Sequence, residues 1–316
     1  MDHPNTEEFR MATSRWRRWM LIGGGVIGGL LLSAYLVVGY IAADRFSAIT
    51  RHAQKDSPAT YGIDFEAVQF TPRDDPALTL QGWLLPQAEA TQTIILVHGF
   101  GLGGCRSCDF KERFTEFAAQ LHANGFAVLL FDLRGHGESD AARYTFGVRE
   151  QRDVLGAVDF LLARGVAPGQ IGVLGASMGG ASSIIATASE PAIGALITDS
   201  AFADLDYLLQ REFPRRSGLP AWLLPSVYLM GQAVTGENVS NARPEQVIAQ
   251  IAPRPVLIIH GDADELVPVE HSARLAAAAP HADVWIVPGA THVESWVLLQ
   301  DAYVARVADF FRAHLR

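Results

Sequence analysis

Ile171-Gly-Val-Leu-Gly-Ala-Ser-Met-Gly-Gly180 is the stretch whose reading decides the fold. Ile171 to Leu174 is a short β-branched and aliphatic run of the kind that forms a buried strand. It breaks at once into Gly175-Ala-Ser177-Met-Gly179, and a helical pattern follows from Gly180 onward. Strand, Gly-x-Ser-x-Gly, helix is the nucleophile-elbow pattern, in which a sharp turn presents a serine hydroxyl at the end of a sheet. The glycines have a mechanical reason to be there: the turn is strained, and a side chain at 175 or 179 is expected to collide with the adjoining strand and helix. Gly and Ser are common residues, so the pattern alone is weak. Its two flanks make Ser177 a candidate nucleophile rather than a chance turn.

Further apolar runs lie on both sides of the elbow. Thr93-Ile-Ile-Leu-Val-His98, Ala127-Val-Leu-Leu-Phe131, Ala195-Leu-Ile-Thr198, Pro255-Val-Leu-Ile-Ile259 and Asp283-Val-Trp-Ile-Val287 read as strands. Continuous apolar runs mark central strands covered on both faces. Phe65 to Phe70 and Leu78 to Leu85 alternate instead, with Pro72 to Pro76 between them, which predicts an antiparallel pair. Helical patterns separate the later strands, including about 110–124 with Gly125 as its stop and about 148–164. Strands alternating with helices imply an α/β fold with a mostly parallel sheet and helices on both faces. Between Ala201 and Pro253 no strand is apparent, and the apolar run Ala221-Trp-Leu-Leu-Pro-Ser-Val-Tyr-Leu-Met230 lies there. Such a long interval predicts a small helical cap over the carboxyl ends of the strands. The apolar stretch 219–230 suits an acyl chain, a membrane surface or the packed underside of the cap.

The chain has 316 residues, 49% hydrophobic and 19% charged, enough for a sizeable core and contrary to disorder. A net charge of −9 leaves nothing to neutralise phosphates in bulk, so no nucleic-acid partner is expected. No repeat period points to a solenoid or propeller. Cys105 and Cys108 are the two cysteines. Their C-x-x-C spacing fits a local disulfide, two ordinary thiols, redox chemistry or half a zinc site, but no second C-x-x-C supplies further ligands. No metal and no cofactor are expected; Gly101 to Gly104 is glycine-rich, yet no Gly-Lys-Ser/Thr follows to make a phosphate cradle.

The amino terminus has its own character. Residues 1–19 form a polar tail ending in Arg15-Trp-Arg-Arg-Trp19, and Met20 to Ala43 then runs without a charge. As a helix this segment is about 36 Å long, enough to span a bilayer with some tilt. A cleaved signal peptide competes, with Ile41-Ala-Ala43 as a passable cleavage site, but its apolar region is normally shorter. A buried globular helix fits poorly, because the segment has no polar face. Arg15, Arg17 and Arg18 at the membrane edge, with Arg10 before them, favour a cytoplasmic tail and an extracytoplasmic domain. Gly24, Gly25, Gly28 and Gly29 give G-x-x-x-G spacings that suit a homodimer through this helix, which cross-linking in membranes would test. Residues 44–59 read as a polar spacer lifting a domain at 60–316 off the membrane.

Ser177 needs a base to take its proton and an acid to orient that base. His260-Gly-Asp-Ala-Asp264-Glu-Leu-Val-Pro268 places acids just past a predicted strand, and Val287-Pro-Gly-Ala-Thr-His292 places a histidine past the last one. Both loops fall at strand carboxyl ends, the edge from which Ser177 also emerges. With His98-Gly-Phe-Gly, Asp132-Leu-Arg-Gly-His-Gly-Glu-Ser, Gly175-Ala-Ser-Met-Gly-Gly, Gly261-Asp-Ala-Asp-Glu-Leu-Val-Pro and Gly289-Ala-Thr-His, residues 60–316 resemble the α/β-hydrolase superfamily. The likeness is nearest to exported or membrane-anchored serine hydrolases of esterase and peptidase type. It implies Ser177 as nucleophile, Asp264 as acid and His292 as base, with Asp262, Glu265 and Asp199 as alternative acids. It also implies an oxyanion hole from the backbone N–H groups of Phe100 and Met178.

The function implied is hydrolysis of an ester, thioester or amide through an acyl-serine intermediate, with a small-molecule acyl substrate. A peptidase and a non-enzymatic membrane-tethered module are the alternatives. His98 is expected to shape the oxyanion loop and His136 the turn after its strand. His122, His271, His281 and His314 are expected at the surface. A Cys105–Cys108 disulfide, if formed, would stiffen the oxyanion loop.

Overall fold

The computed structural model describes residues 6–49, 51–100 and 105–316, with side chains from Arg15 onward. The glycine-rich stretch Gly101 to Gly104 and the first five residues of the polar tail lie outside the described residues. The strands are β1 (Glu66–Phe70), β2 (Leu80–Leu85), β3 (Thr93–Val97), β4 (Ala127–Phe131), β5 (Ile171–Ala176), β6 (Ile193–Asp199), β7 (Val256–Gly261) and β8 (Asp283–Val287). They form one sheet in the order β1-β2-β4-β3-β5-β6-β7-β8. β1 and β2 pair antiparallel and β2 joins β4 antiparallel; every later pairing is parallel. The expected alternating pair and the expected buried strands are both present. β3, β5 and β7 are buried at every position, as continuous apolar runs require.

The helices are α1 (Thr6–Ser47), α2 (Phe114–Ala123), α3 (Glu150–Ala163), α4 (Met178–Ser189), α5 (Leu205–Ser217), α6 (Leu224–Thr235), α7 (Glu270–Ala278), α8 (Ser295–Leu299) and α9 (Asp301–His314). One core lies on the sheet face covered by α3, α4 and α7, with Val154, Val158, Ile184 and Leu275. A second lies under α2 and α9, with Phe114, Phe117, Val307 and Phe311. The helix expected at about 110–124 starts later, because Phe110, Lys111 and Glu112 take positive φ (51°, 56° and 64°) and make a left-handed turn. That turn drives Phe110 inward among Phe114, Phe117 and Trp296. Between 201 and 253 the described residues hold α5, α6 and short 3₁₀ turns but no strand, in accord with a helical cap.

α1 is longer than the charge-free segment 20–43, because the helix continues through Asp44 and Arg45 to Ser47. By length and composition its part Arg15–Ser47 is a candidate membrane span. Gly24, Gly25, Gly28 and Gly29 have nothing within 4 Å of a Cβ placed on them. Gly39 does: a Cβ there would lie 2.5 Å from Ser226 Oγ on α6. Tyr35, Val38, Ala42 and Phe46 join Phe213, Leu223 and Leu224 in a third apolar cluster between α1 and the cap.

The expected spacer at 44–59 does not stand off from the domain. Asp44 pairs with Arg143 (2.7 Å), Gln54 Nε2 donates to Asp132 Oδ2 (3.0 Å), and Lys55 N–H donates to Ser107 Oγ (2.8 Å). Polar residues read as a solvated spacer are instead satisfied by polar groups of the domain.

Candidate active site

β5 is buried throughout, and at its end the chain turns sharply through Ser177 into α4. Ser177 sits at φ 52°, ψ −119°, a region that non-glycine residues adopt only under constraint. The constraint is visible on both sides. A Cβ on Gly175 would lie 2.4 Å from Gly179 O, and one on Gly179 would lie 2.3 Å from Val97 O. Ser177 N–H is held by Asp199 O at 2.8 Å. Only glycine lets β3, β5 and α4 approach this closely, so the sequence forces the serine outward.

Three loops at the carboxyl edge meet at this serine. His292 Nε2 is 2.9 Å from Ser177 Oγ, and His292 Nδ1 is 2.7 Å from Asp264 Oδ2. A carboxylate only accepts, so Nδ1 carries the ring proton and Nε2 is free to accept from the serine hydroxyl. Burial pushes the Asp264 carboxyl up, but bonds from His260 and His292 and the Val267 N–H outweigh it and hold the group well below the usual carboxylate range. Leu266 and Val267 N–H groups both donate to Asp264 Oδ1, at 2.9 and 2.8 Å. His260 Nε2 donates to Val267 O (2.7 Å) and lies 3.4 Å from Asp264 Oδ2, a support that the strand reading of 255–259 did not single out.

The alternative acids lie elsewhere. Asp262 accepts from Gly289 N–H at 2.6 Å, and Glu265 is exposed. Asp199 is buried, its carboxyl raised by desolvation, and it accepts from Ser200, Ser295 and Tyr303. Ser200 Oγ in turn accepts from Val293 N–H at 3.0 Å. Val293 has φ 57°, an outlier for a β-branched residue, so Asp199 acts through Ser200 on the strained backbone just after His292.

Phe100 and Met178, the two residues expected to supply amide donors, line the same cavity as Ser177. Met178 opens α4, where the first N–H groups of a helix lack intrahelical acceptors and carry its positive dipole end. Phe100 follows Gly99, whose N–H donates to Asp109 Oδ2. Asp109 is a residue the sequence reading missed; its carboxyl is raised by burial, partly offset by that N–H. Leu133 N–H donates to His98 Nε2 (3.0 Å), leaving His98 Nδ1–H to donate to Gly99 O (2.8 Å). His98 thus fastens the loop as expected, and His136, at 3.0 Å from Arg134 O, holds the turn after β4. Asp132 is likewise a turn residue, accepting from Arg106 N–H and Glu138 N–H. Cys105 and Cys108 form a disulfide immediately before Asp109.

Above Ser177 lies a cavity of about 330 Å³. Its wall is mainly apolar, with Phe100, Phe146, Met178, Phe202, Leu208 and Val227 among its residues. Glu212 also faces it but is held by Arg215 (3.1 Å) and Arg216 (3.3 Å). One histidine expected at the surface is not there. His271 is 1% exposed, accepts from Ala203 N–H at 3.1 Å and stacks edge-on to Tyr207. The helical pattern around it hid this, because the loop at Ala203 that covers it lies 68 residues earlier in the chain.

The Alpha/beta hydrolase family model matches residues 94–310. The chain belongs to the alpha/beta hydrolase family. It is 29% identical to the uncharacterized protein YfhR of Escherichia coli (strain K12) over 268 residues, covering 81% of this chain and 84% of that protein. YqkD of Bacillus subtilis (strain 168), also uncharacterized, is 28% identical, covering 80% of this chain and 77% of its own. Among solved structures, the Pyrococcus furiosus esterase Pf2001 is 25% identical with a TM-score of 0.66, covering 84% of this chain and 99% of that one. With family and fold agreeing, the protein is a hydrolase.

Proposed function

We propose that this hydrolase is a serine esterase of carboxylesterase type. Ser177 Oγ attacks the acyl carbon as its proton passes to His292 Nε2, and the new C–O bond makes a tetrahedral oxyanion. The N–H groups of Phe100 and Met178 meet the charge that develops there, a donor being worth about 3 kcal/mol of barrier. Collapse breaks the bond to the leaving alcohol, which takes the proton from His292. Water, activated by the same histidine, then releases the acid and restores Ser177. Asp264 holds the imidazole in the tautomer this needs and stabilises it when charged.

The observation that carries the reading is the continuous hydrogen-bonded path Ser177–His292–Asp264 at 2.9 and 2.7 Å, ending at a strained elbow. The apolar cavity supports an acyl ester over a peptide amine, because Glu212 is already neutralised by arginines. Likeness to an esterase of known structure points the same way. Fluorophosphonate labelling of Ser177, lost in Ser177→Ala, is the test. A folded, unlabelled protein would rule the mechanism out.

The hydrolase domain is proposed to work outside the cytoplasm, tethered by α1. Arginines 15, 17 and 18 before the span and the Cys105–Cys108 disulfide both support this side. A carboxyl-terminal alkaline phosphatase fusion should be active in cells; an inactive, intact fusion contradicts the orientation.

A further inference from the structure

The helix that reads as an anchor also walls the cavity above Ser177. Ala43, Phe46 and Ser47, at the end of α1, line it together with Phe213, Leu224 and Gly231 of the cap. α1 and α6 run side by side in the same direction. Tyr35 stacks on Trp222 (centroids 5.8 Å apart, planes within 8°), Gly39 abuts Ser226, and Ala43 faces Gly231. These contacts advance in step, so Trp222 lies about 12 Å from the cavity wall along α1, on the side of the apolar span.

The length of the span fixes what surrounds that point. From Trp19 to Tyr35 the helix rises about 24 Å, less than the roughly 30 Å thickness of a bilayer's hydrocarbon. A membrane with its inner edge at Trp16 and Trp19 therefore still extends outward at the level of Tyr35 and its partner Trp222. The cap is dressed for that position: Trp222 is 66% exposed and Leu229 is 55% exposed on the part of the cap that flanks α1. Large exposed apolar side chains beside a membrane helix suit an interfacial surface.

We infer that the cap is seated in the outer membrane surface and that the cavity takes the acyl chain of a bilayer lipid ester, reached along the seam of α1 and α6. The inference rests on the serine-esterase reading for its chemistry: lipid ester and water give a fatty acid and an alcohol at Ser177. It goes beyond that reading in making α1 part of the substrate site. Ala43 and Phe46 then set acyl length, and the substrate arrives through the membrane rather than from solution.

The full chain in phospholipid vesicles is the material for the test. With nitrophenyl acetate and decanoate, Ala43→Phe should lower the decanoate-to-acetate ratio of kcat/KM at least tenfold. Phe46→Ala should shift preference toward palmitate. Ile41→Phe, on the exposed side of the same turn, should leave the ratio as it is. Unchanged ratios in both wall variants overturn the inference. A second arm needs no catalysis: Ser177→Ala should bind a dansyl fatty acid, and adding Ala43→Phe should weaken that binding tenfold. If labelling of Ser177 fails but this binding behaves as stated, the esterase reading falls and the acyl site stands. Fatty-acid binding that is absent, or indifferent to position 43, removes the acyl site. Quenching by brominated phospholipid should fall in Trp222→Phe, and equal quenching removes the membrane seat.

Discussion

At the scale of single residues, the site divides into groups written in local pattern and groups written only in the fold. Ser177 and Asp264 each sit in a short motif at the end of an apolar run, and His292 occupies the loop after the last strand, so all three were legible. Asp109 and His260 were not, because they hold turns, through Gly99 and Val267, that no strand or helix period marks; Asp199 was read only as a spare acid, since its partner Tyr303 lies 104 residues away in sequence. The Asp264→Asn variant separates the two kinds of role. It keeps the size of the side chain but places an amide against Nδ1, favouring the wrong tautomer, and kcat should fall by about 10⁴ while substrate binding persists. His271 gives a prediction in stability rather than rate. Burial, with His260 and Arg274 nearby, pushes its imidazole down to about 4. The neutral ring is therefore preferred in the fold, its stability contribution complete above the unfolded value near 6.5 and lost as pH falls toward 4. The difference corresponds to about 3 kcal/mol. Urea unfolding should show stability dropping over this window, and His271→Gln should flatten the slope.

At the scale of elements, the loop proposed to carry the Phe100 oxyanion donor is the segment where several supports converge. The disulfide closes a four-residue turn, Asp109 at its end takes the Gly99 N–H, and Phe100 comes next. A loop that short contributes about 2 kcal/mol by chain entropy, a modest term for the whole fold. Its larger effect is on position, since Asp109 leaves the disulfide directly into a left-handed turn at Phe110 that buries the ring. The double variant Cys105→Ala, Cys108→Ala should lose a few degrees of Tm and about tenfold in kcat, with KM nearly unchanged, as expected when a transition-state donor drifts. Unaltered kcat would show that Asp109 and His98 suffice. The elbow itself was readable from five residues because its strain is local. The left-handed turn was not, since its cause is the tertiary socket of Phe110 among Phe114, Phe117 and Trp296.

At the scale of the whole molecule, the division into anchor, spacer and enzyme gives way to a single body in which α1 belongs to both ends. Hydropathy shows that 20–43 is apolar, but it does not reveal that Tyr35 to Phe46 also has a protein partner. An outward-facing side and a cap-facing side are both apolar and look alike in sequence. The packing has a consequence for truncation. Removal of residues 1–33 takes away most of the candidate membrane span and leaves the cluster of Val38, Ala42 and Phe46 against Phe213, Leu223 and Leu224. Removal of residues 1–57 strips that cluster bare and severs Asp44–Arg143 and Gln54–Asp132 as well. Uncovering buried Phe and Leu side chains costs roughly 1.5–3 kcal/mol apiece. In mild detergent the shorter deletion should therefore keep a Tm close to that of the full chain. The longer one should melt several degrees lower, expose surface that binds a hydrophobic dye, and aggregate on detergent removal. Equal melting of the two would mean that the cap holds its shape without α1, and would return the helix to the role of a tether.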